Sequence, residues 1–166
     1  MKNSGSTPLL LSDLLSPAGI KLDLGGTERD AVLAQLVALI PEMAGQPEAQ
    51  RTLLRALQER EQLHSTGIGD GIALPHARNA IVGLVDRPII VFGRHPTGVS
   101  YGAIDGLPAR LFFLLIAPTV TQHLAMLAKI SRLLRDPKLR QELLAVGTPE
   151  QARAVIRAAE LKMLTG

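Results

Sequence analysis

The run Leu111-Phe112-Phe113-Leu114-Leu115-Ile116-Ala117, with Arg110 before it and Pro118 behind, sets the terms for the whole chain. An extended strand with apolar residues at every position has no face for water, so it must be covered on both sides. The run falls far short of the roughly 20 apolar residues that a membrane helix needs. Covering a strand twice takes two layers of other structure. The run therefore predicts the centre of a sheet with helices on each face.

The remaining sequence supplies those layers. Ser12-Asp13-Leu14-Leu15 predicts a short helical turn ended by Ser16-Pro17, and Ile20 to Leu24 alternates like a half-buried strand. Gly25-Gly26 breaks that strand. Thr27 is placed to cap a helix with Val32, Leu33, Leu36, Val37 and Ile40 along one face, running to about Pro41. Pro47 suits the first turn of a second helix, with Leu53, Leu54 and Leu57 inward and the charged stretch Gln58 to Glu61 on its exposed side. Arg87 to Gly93 predicts a second buried strand, Gly98 to Gly102 a short extended piece, and Ile104-Asp105-Gly106 a turn. After Pro118, Thr119 or Thr121 caps a long helix with Leu124, Leu127, Ala128, Ser131 and Leu134 on one face. Asp136-Pro137 opens a short helix ending at Gly147. Thr148-Pro149-Glu150 caps a last one carrying Ala152, Val155, Ile156 and Ala159. This order predicts one α/β domain over residues 9–166, a three-layer α/β/α sandwich with a mixed β-sheet. Residues 1–8, polar and without periodicity, are expected to form a disordered tail.

Composition narrows the function. The net charge is +3, the basic residues form no block, and aromatics are 2% of the chain, which argues against nucleic-acid binding by a basic face with stacking rings. With no cysteine there is no disulfide, thiolate nucleophile or cysteine-ligated metal. Leu9-Leu10-Leu11 is too short for a signal-peptide core, and a soluble, cytoplasmic protein without membrane insertion is expected.

The chemistry concentrates in Ser65-Thr66-Gly67-Ile68-Gly69-Asp70-Gly71-Ile72-Ala73-Leu74-Pro75-His76-Ala77-Arg78. Gly67, Gly69 and Gly71 alternate through a turn, where left-handed backbone could gather N–H groups around an anion. Ile72-Ala73-Leu74 reads as a buried strand that Pro75 ends, leaving His76 at its edge. An imidazole held beside an anion nest suits attack on a phosphoryl group. The glycines match neither a Walker loop nor a dinucleotide fingerprint. The four histidines show no metal-ligand spacing, and His64 and His95 read as surface loop residues.

The stretch from Arg60 to His76 resembles the type-2 enzyme IIA domain, the fructose/mannitol class of the bacterial phosphoenolpyruvate:sugar phosphotransferase system. Ala103-Ile104-Asp105-Gly106-Leu107-Pro108 and the stretch from His123 to Asp136 agree in order and spacing, so the likeness covers about residues 9 to 160. It looks most like the nitrogen-regulatory branch. The resemblance implies a phosphohistidine carrier in which His76 is phosphorylated by HPr or its nitrogen-branch paralogue, with no metal or other cofactor. It also implies either delivery to an enzyme IIB or phosphorylation-dependent binding of regulatory targets, potassium-transport proteins among them. A binding module indifferent to phosphate is the alternative. The chemistry of phosphoryl transfer then assigns supporting roles to His123, Arg60, Thr66 and Ser65 around the phosphoryl oxygens, and to the amides of Gly67, Gly69 and Gly71. His64 departs from the family, which has a small residue or glycine before the Ser-Thr-Gly turn.

Overall fold

In a computed structural model, residues 10–78 and 83–165 are described; the expected tail, residues 1–8, lies outside them. The strands are β1 (Ile20–Lys21), β2 (Gly67–Gly69), β3 (Ile72–Ala73), β4 (Ile89–Val99) and β5 (Ala109–Ile116). They form one mixed sheet in the order β1-β4-β5-β3-β2, with β5 at its centre. β1 runs parallel to β4 and β3 parallel to β5, whereas β4/β5 and β2/β3 are antiparallel. The helices are α1 (Arg29–Ala38), α2 (Pro47–Leu63), α3 (Val120–Leu133), α4 (Pro137–Ala145) and α5 (Pro149–Thr165).

The doubly apolar β5 divides its side chains between two cores. Leu111, Phe113 and Leu115 pack with Met126, Ile130, Leu133, Leu139 and Ile156 of α3, α4 and α5. Phe112, Leu114 and Ile116 pack with Val32, Leu33, Leu36, Leu53 and Leu57 of α1 and α2. This is the expected α/β/α sandwich, with β5 as its middle strand.

Several elements differ in detail from the sequence reading. The strand expected over Ile20 to Leu24 keeps only Ile20–Lys21, because Leu24 N–H bonds Arg94 O at 2.9 Å and the Arg94 side chain takes Leu22 O at 3.2 Å. The α1 cap position falls on Glu28, which makes no side-chain cap, rather than on Thr27. The piece expected at Gly98 to Gly102 joins β4, which runs on to Val99 through an irregularity after Arg94. Thr119, of the two threonines considered, caps α3 by accepting from Gln122 N. The inward face of α3 is His123, Met126, Ile130 and Leu133, while Leu124 is 59% exposed. Leu134, beyond the last turn, is buried as expected. Both stripes have helical spacing, and only the partner surface of the sheet decides which faces in.

His95 is also corrected. Expected on the surface, it is 6% exposed within β4. Its Nε2 donates to Gly26 O at 2.8 Å, and its Nδ1 accepts from Gly98 N at 2.9 Å and Thr97 N at 3.3 Å. The neutral ring is satisfied at both nitrogens, so it ties β4 to the loop before α1.

Candidate functional site

His76 follows β3 and makes a parallel bridge to Leu115 of the central strand, which fixes its backbone against the most buried part of the sheet. Its Nδ1 lies 2.6 Å from Leu74 O. A carbonyl oxygen only accepts, so Nδ1 carries the proton and the lone pair of the neutral ring sits on Nε2. His123, in the first turn of α3, brings its ring to 5.4 Å from that of His76, centroid to centroid, with the planes tilted by 52°. The His123 ring is buried and its backbone N–H is already bonded to Thr119 O at 3.0 Å, so the side chain rather than the amide is what it offers.

Burial disfavours the charged form of both rings. His76 is held below the ordinary imidazole pKa chiefly by desolvation, with the bond to Leu74 O opposing, Arg60 pushing further down and Glu61 pulling up. His123 is lowered by desolvation and then by the charge of His76. Two neutral imidazoles side by side can work as nucleophile and hydrogen-bond donor.

Arg60, near the end of α2, stands close enough for its charge to act on His76, and its Nη1 donates to His64 O at 2.6 Å. His64 caps α2 in extended conformation with its ring exposed. The hydroxyls of Ser65 and Thr66 are engaged within the protein. Ser65 Oγ donates to Tyr101 O at 2.5 Å and accepts Gly67 N at 2.9 Å. Thr66 Oγ1 donates to Glu61 Oε2.

The glycine turn is the tip of the β2/β3 hairpin. Asp70 and Gly71 have φ of +57° and +79°, the left-handed pair that a tight two-residue hairpin turn requires. The anion it meets is internal: Asp70 N–H donates to Asp105 Oδ2 at 2.8 Å. Leu107 N donates to the other carboxylate oxygen at 3.0 Å, and the two amides hold the Asp105 carboxyl below its usual range. A Cβ on Gly69 would lie 2.9 Å from Asp105 Oδ2. The 103–108 loop is thereby stapled to the hairpin, and the turn buttresses the site.

Glu61 is the participant that the sequence reading placed on a solvated face. It is 5% exposed and accepts from Thr66 N at 2.8 Å, from the Thr66 hydroxyl, and from Tyr101 OH at 2.7 Å. Burial and the Glu61 charge push the Tyr101 phenol far up, so it remains a donor. The available signal was its spacing: Glu61 is i+4 from inward Leu57, which is itself i+4 from Leu53.

The sequence profile described as "Phosphoenolpyruvate-dependent sugar phosphotransferase system, EIIA 2" matches residues 13–159. The chain belongs to this family. It is 37% identical over 81% of its length to the fructose-specific EIIABC component of Bacillus subtilis, of which it spans only 21%. It is 34% identical to a nitrogen regulatory protein of Bradyrhizobium diazoefficiens, covering 81% of this chain and 86% of that one. The crystal structure of nitrogen regulatory protein IIA-Ntr from Neisseria meningitidis superposes with a TM-score of 0.77 at 28% identity, over 87% of this chain and 97% of the other. As a type-2 enzyme IIA, the chain has a phosphocarrier role in the phosphotransferase system, a transferase function. Among the described residues of this enzyme IIA, no helix is long and apolar enough to cross a membrane.

Proposed function

We propose that this enzyme IIA carries phosphate on His76, accepting it at Nε2 from the phosphohistidine of HPr or of its nitrogen-branch paralogue. The Nδ1 bond to Leu74 O supports this reading most, because it leaves the Nε2 lone pair free. In the transfer, the donor's N–P bond breaks as the Nε2–P bond forms, and the proton on Nδ1 stays where it is. The equatorial oxygens need donors rather than further covalent chemistry. His123 supplies one from the facing ring, and Arg60 supplies the planar charged fork that suits phosphoryl oxygens. Ser65, Thr66 and the glycine turn hold the frame.

The partner is a protein surface. Ile68 on the hairpin, Ile104 and Leu107 on the stapled loop, and Val120 and Leu124 flanking His123 are large apolar residues left exposed. The cavity of about 350 Å³ between α3 and α5, lined by Ala125, Lys129, Arg132 and Met163 among others, contains neither histidine. In this reading the carrier works in the cytoplasm and, through its phosphorylation state, binds targets in nitrogen and potassium metabolism. The relatives named nitrogen regulatory protein support that output. The fructose-specific relatives support a second output, delivery of the phosphoryl group to an enzyme IIB.

Labelled phosphoenolpyruvate with enzyme I and either HPr or the nitrogen-branch donor tests the proposal. The wild-type chain takes up label, and His123→Ala does so about a hundredfold to a thousandfold more slowly, the scale of losing one donor to developing charge. A wild-type chain that stays unlabelled with both donors leaves only the phosphate-independent binding module. Passage of label to an enzyme IIB separates the sugar reading from the regulatory one.

A further inference from the structure

The carboxylate of Glu61 is out of water and collects three donors, two from Thr66 and one from Tyr101. Charge-assisted bonds of this kind are about twice as strong as neutral ones, and each is costly to leave unmade when buried. Its anchor points are firm: α2 holds Glu61, and Tyr101 stands edge-on to buried Phe112 at 5.6 Å. From the clamped Thr66 the connection continues through the backbone. Thr66 O accepts Leu74 N at 3.0 Å, and Leu74 O accepts His76 Nδ1–H at 2.6 Å. The residue before Glu61 is the half-buried Arg60, so one helix end supplies both the clamp and the cation.

We infer that Glu61 is a positioning residue for His76. By clamping Thr66, it holds the Thr66–Leu74–His76 chain of hydrogen bonds that keeps the ring in its Nδ1–H form with Nε2 turned to the partner. The kinetic half of this inference rests on His76 being the phosphoryl acceptor; the tautomer half does not. A fold staple alone would protect stability and leave the tautomer of a folded variant untouched.

The experiment compares full-length wild type, Glu61→Gln, Glu61→Asp and Tyr101→Phe. Imidazole 15N shifts of His76 are read without any phosphoryl donor, and steady-state uptake from phosphorylated HPr is read separately. In Gln the oxygen still accepts Thr66 N–H, but its NH2 forces the Thr66 and Tyr101 hydroxyls to turn from donor to acceptor, so the charge-assisted bonds of the clamp give way to weaker neutral ones. Glu61→Gln is expected to show Nε2–H signal at His76 and a kcat lower by about tenfold, the kinetic worth of one hydrogen bond, with KM for HPr unchanged. Tyr101→Phe, which loses its own bond to Glu61 but spares both Thr66 bonds that lead to His76, stays within about twofold of wild type. A folded Glu61→Gln with a pure Nδ1–H ring and wild-type kcat overturns the inference. Should that variant fail to fold, Glu61→Asp is judged by the same two readouts. If wild type accepts no phosphate at all, the acceptor reading fails while the tautomer comparison still decides the role of Glu61.

Discussion

His76→Ala leaves a folded chain that takes up no phosphoryl group from phosphorylated HPr, read as absence of a phosphate-sized mass gain under mildly alkaline conditions. The fold survives because the link to Leu115 is made by backbone, which alanine retains. Uptake is lost outright because no nearby ring replaces a nucleophile whose Nε2 is freed by an Nδ1 bond. His123 is the nearest ring, yet it is the more deeply buried of the two. The pH dependence follows from the same burial. With its pKa held below the ordinary value of 6.5, His76 keeps its lone pair throughout neutral pH. Acceptance by the wild type falls off as the imidazolium forms, with a midpoint below pH 6.5. Free imidazole would already be half protonated at about pH 6.5.

Phe113→Ala costs about 3–5 kcal/mol of unfolding free energy, enough to take a domain of this size close to the edge of stability. Phe113 is fully buried on the central strand and stacks on its cross-strand neighbour Phe92, with centroids 4.6 Å apart and planes 21° from parallel. Removing it empties the core beneath α3, α4 and α5. Denaturant titration by far-UV circular dichroism reads the loss as a lower midpoint with unchanged slope. An unfolding free energy within about 0.5 kcal/mol of wild type, at the scale of ordinary surface changes, would mean that the β5 face does not carry the core.

The layers were legible because burial on both faces leaves a signature that no local choice can imitate. Leu111 to Ile116 fixed the middle of the sheet, and the prolines at 47, 137 and 149 marked helix starts that the structure places at those residues. Which face of α3 turns inward was not legible, since Leu124 and His123 belong to stripes of equal periodicity. The site shows the same division. His76 and its facing partner His123 stood out, since residue type and motif identify them. The destinations of short polar side chains did not, because Thr66 and Ser65 hydroxyls can turn to phosphate or to protein, and tertiary contacts choose. Asp105 is the clearest case: the glycine turn calls for an anion, and the carboxylate that answers comes from 35 residues away in sequence. Glu61 and His95 were hidden for a related reason, each being a polar residue buried by partners brought from distant segments.

The most direct test is the nitrogen to which phosphate attaches. The 15N-labelled chain, phosphorylated through enzyme I and HPr, is examined by long-range 1H–15N and 31P spectra. The expected result is a single phosphohistidine, His76, with phosphorus on Nε2 and the proton still on Nδ1 against Leu74 O. Phosphate on Nδ1, on another residue, or nowhere would contradict it.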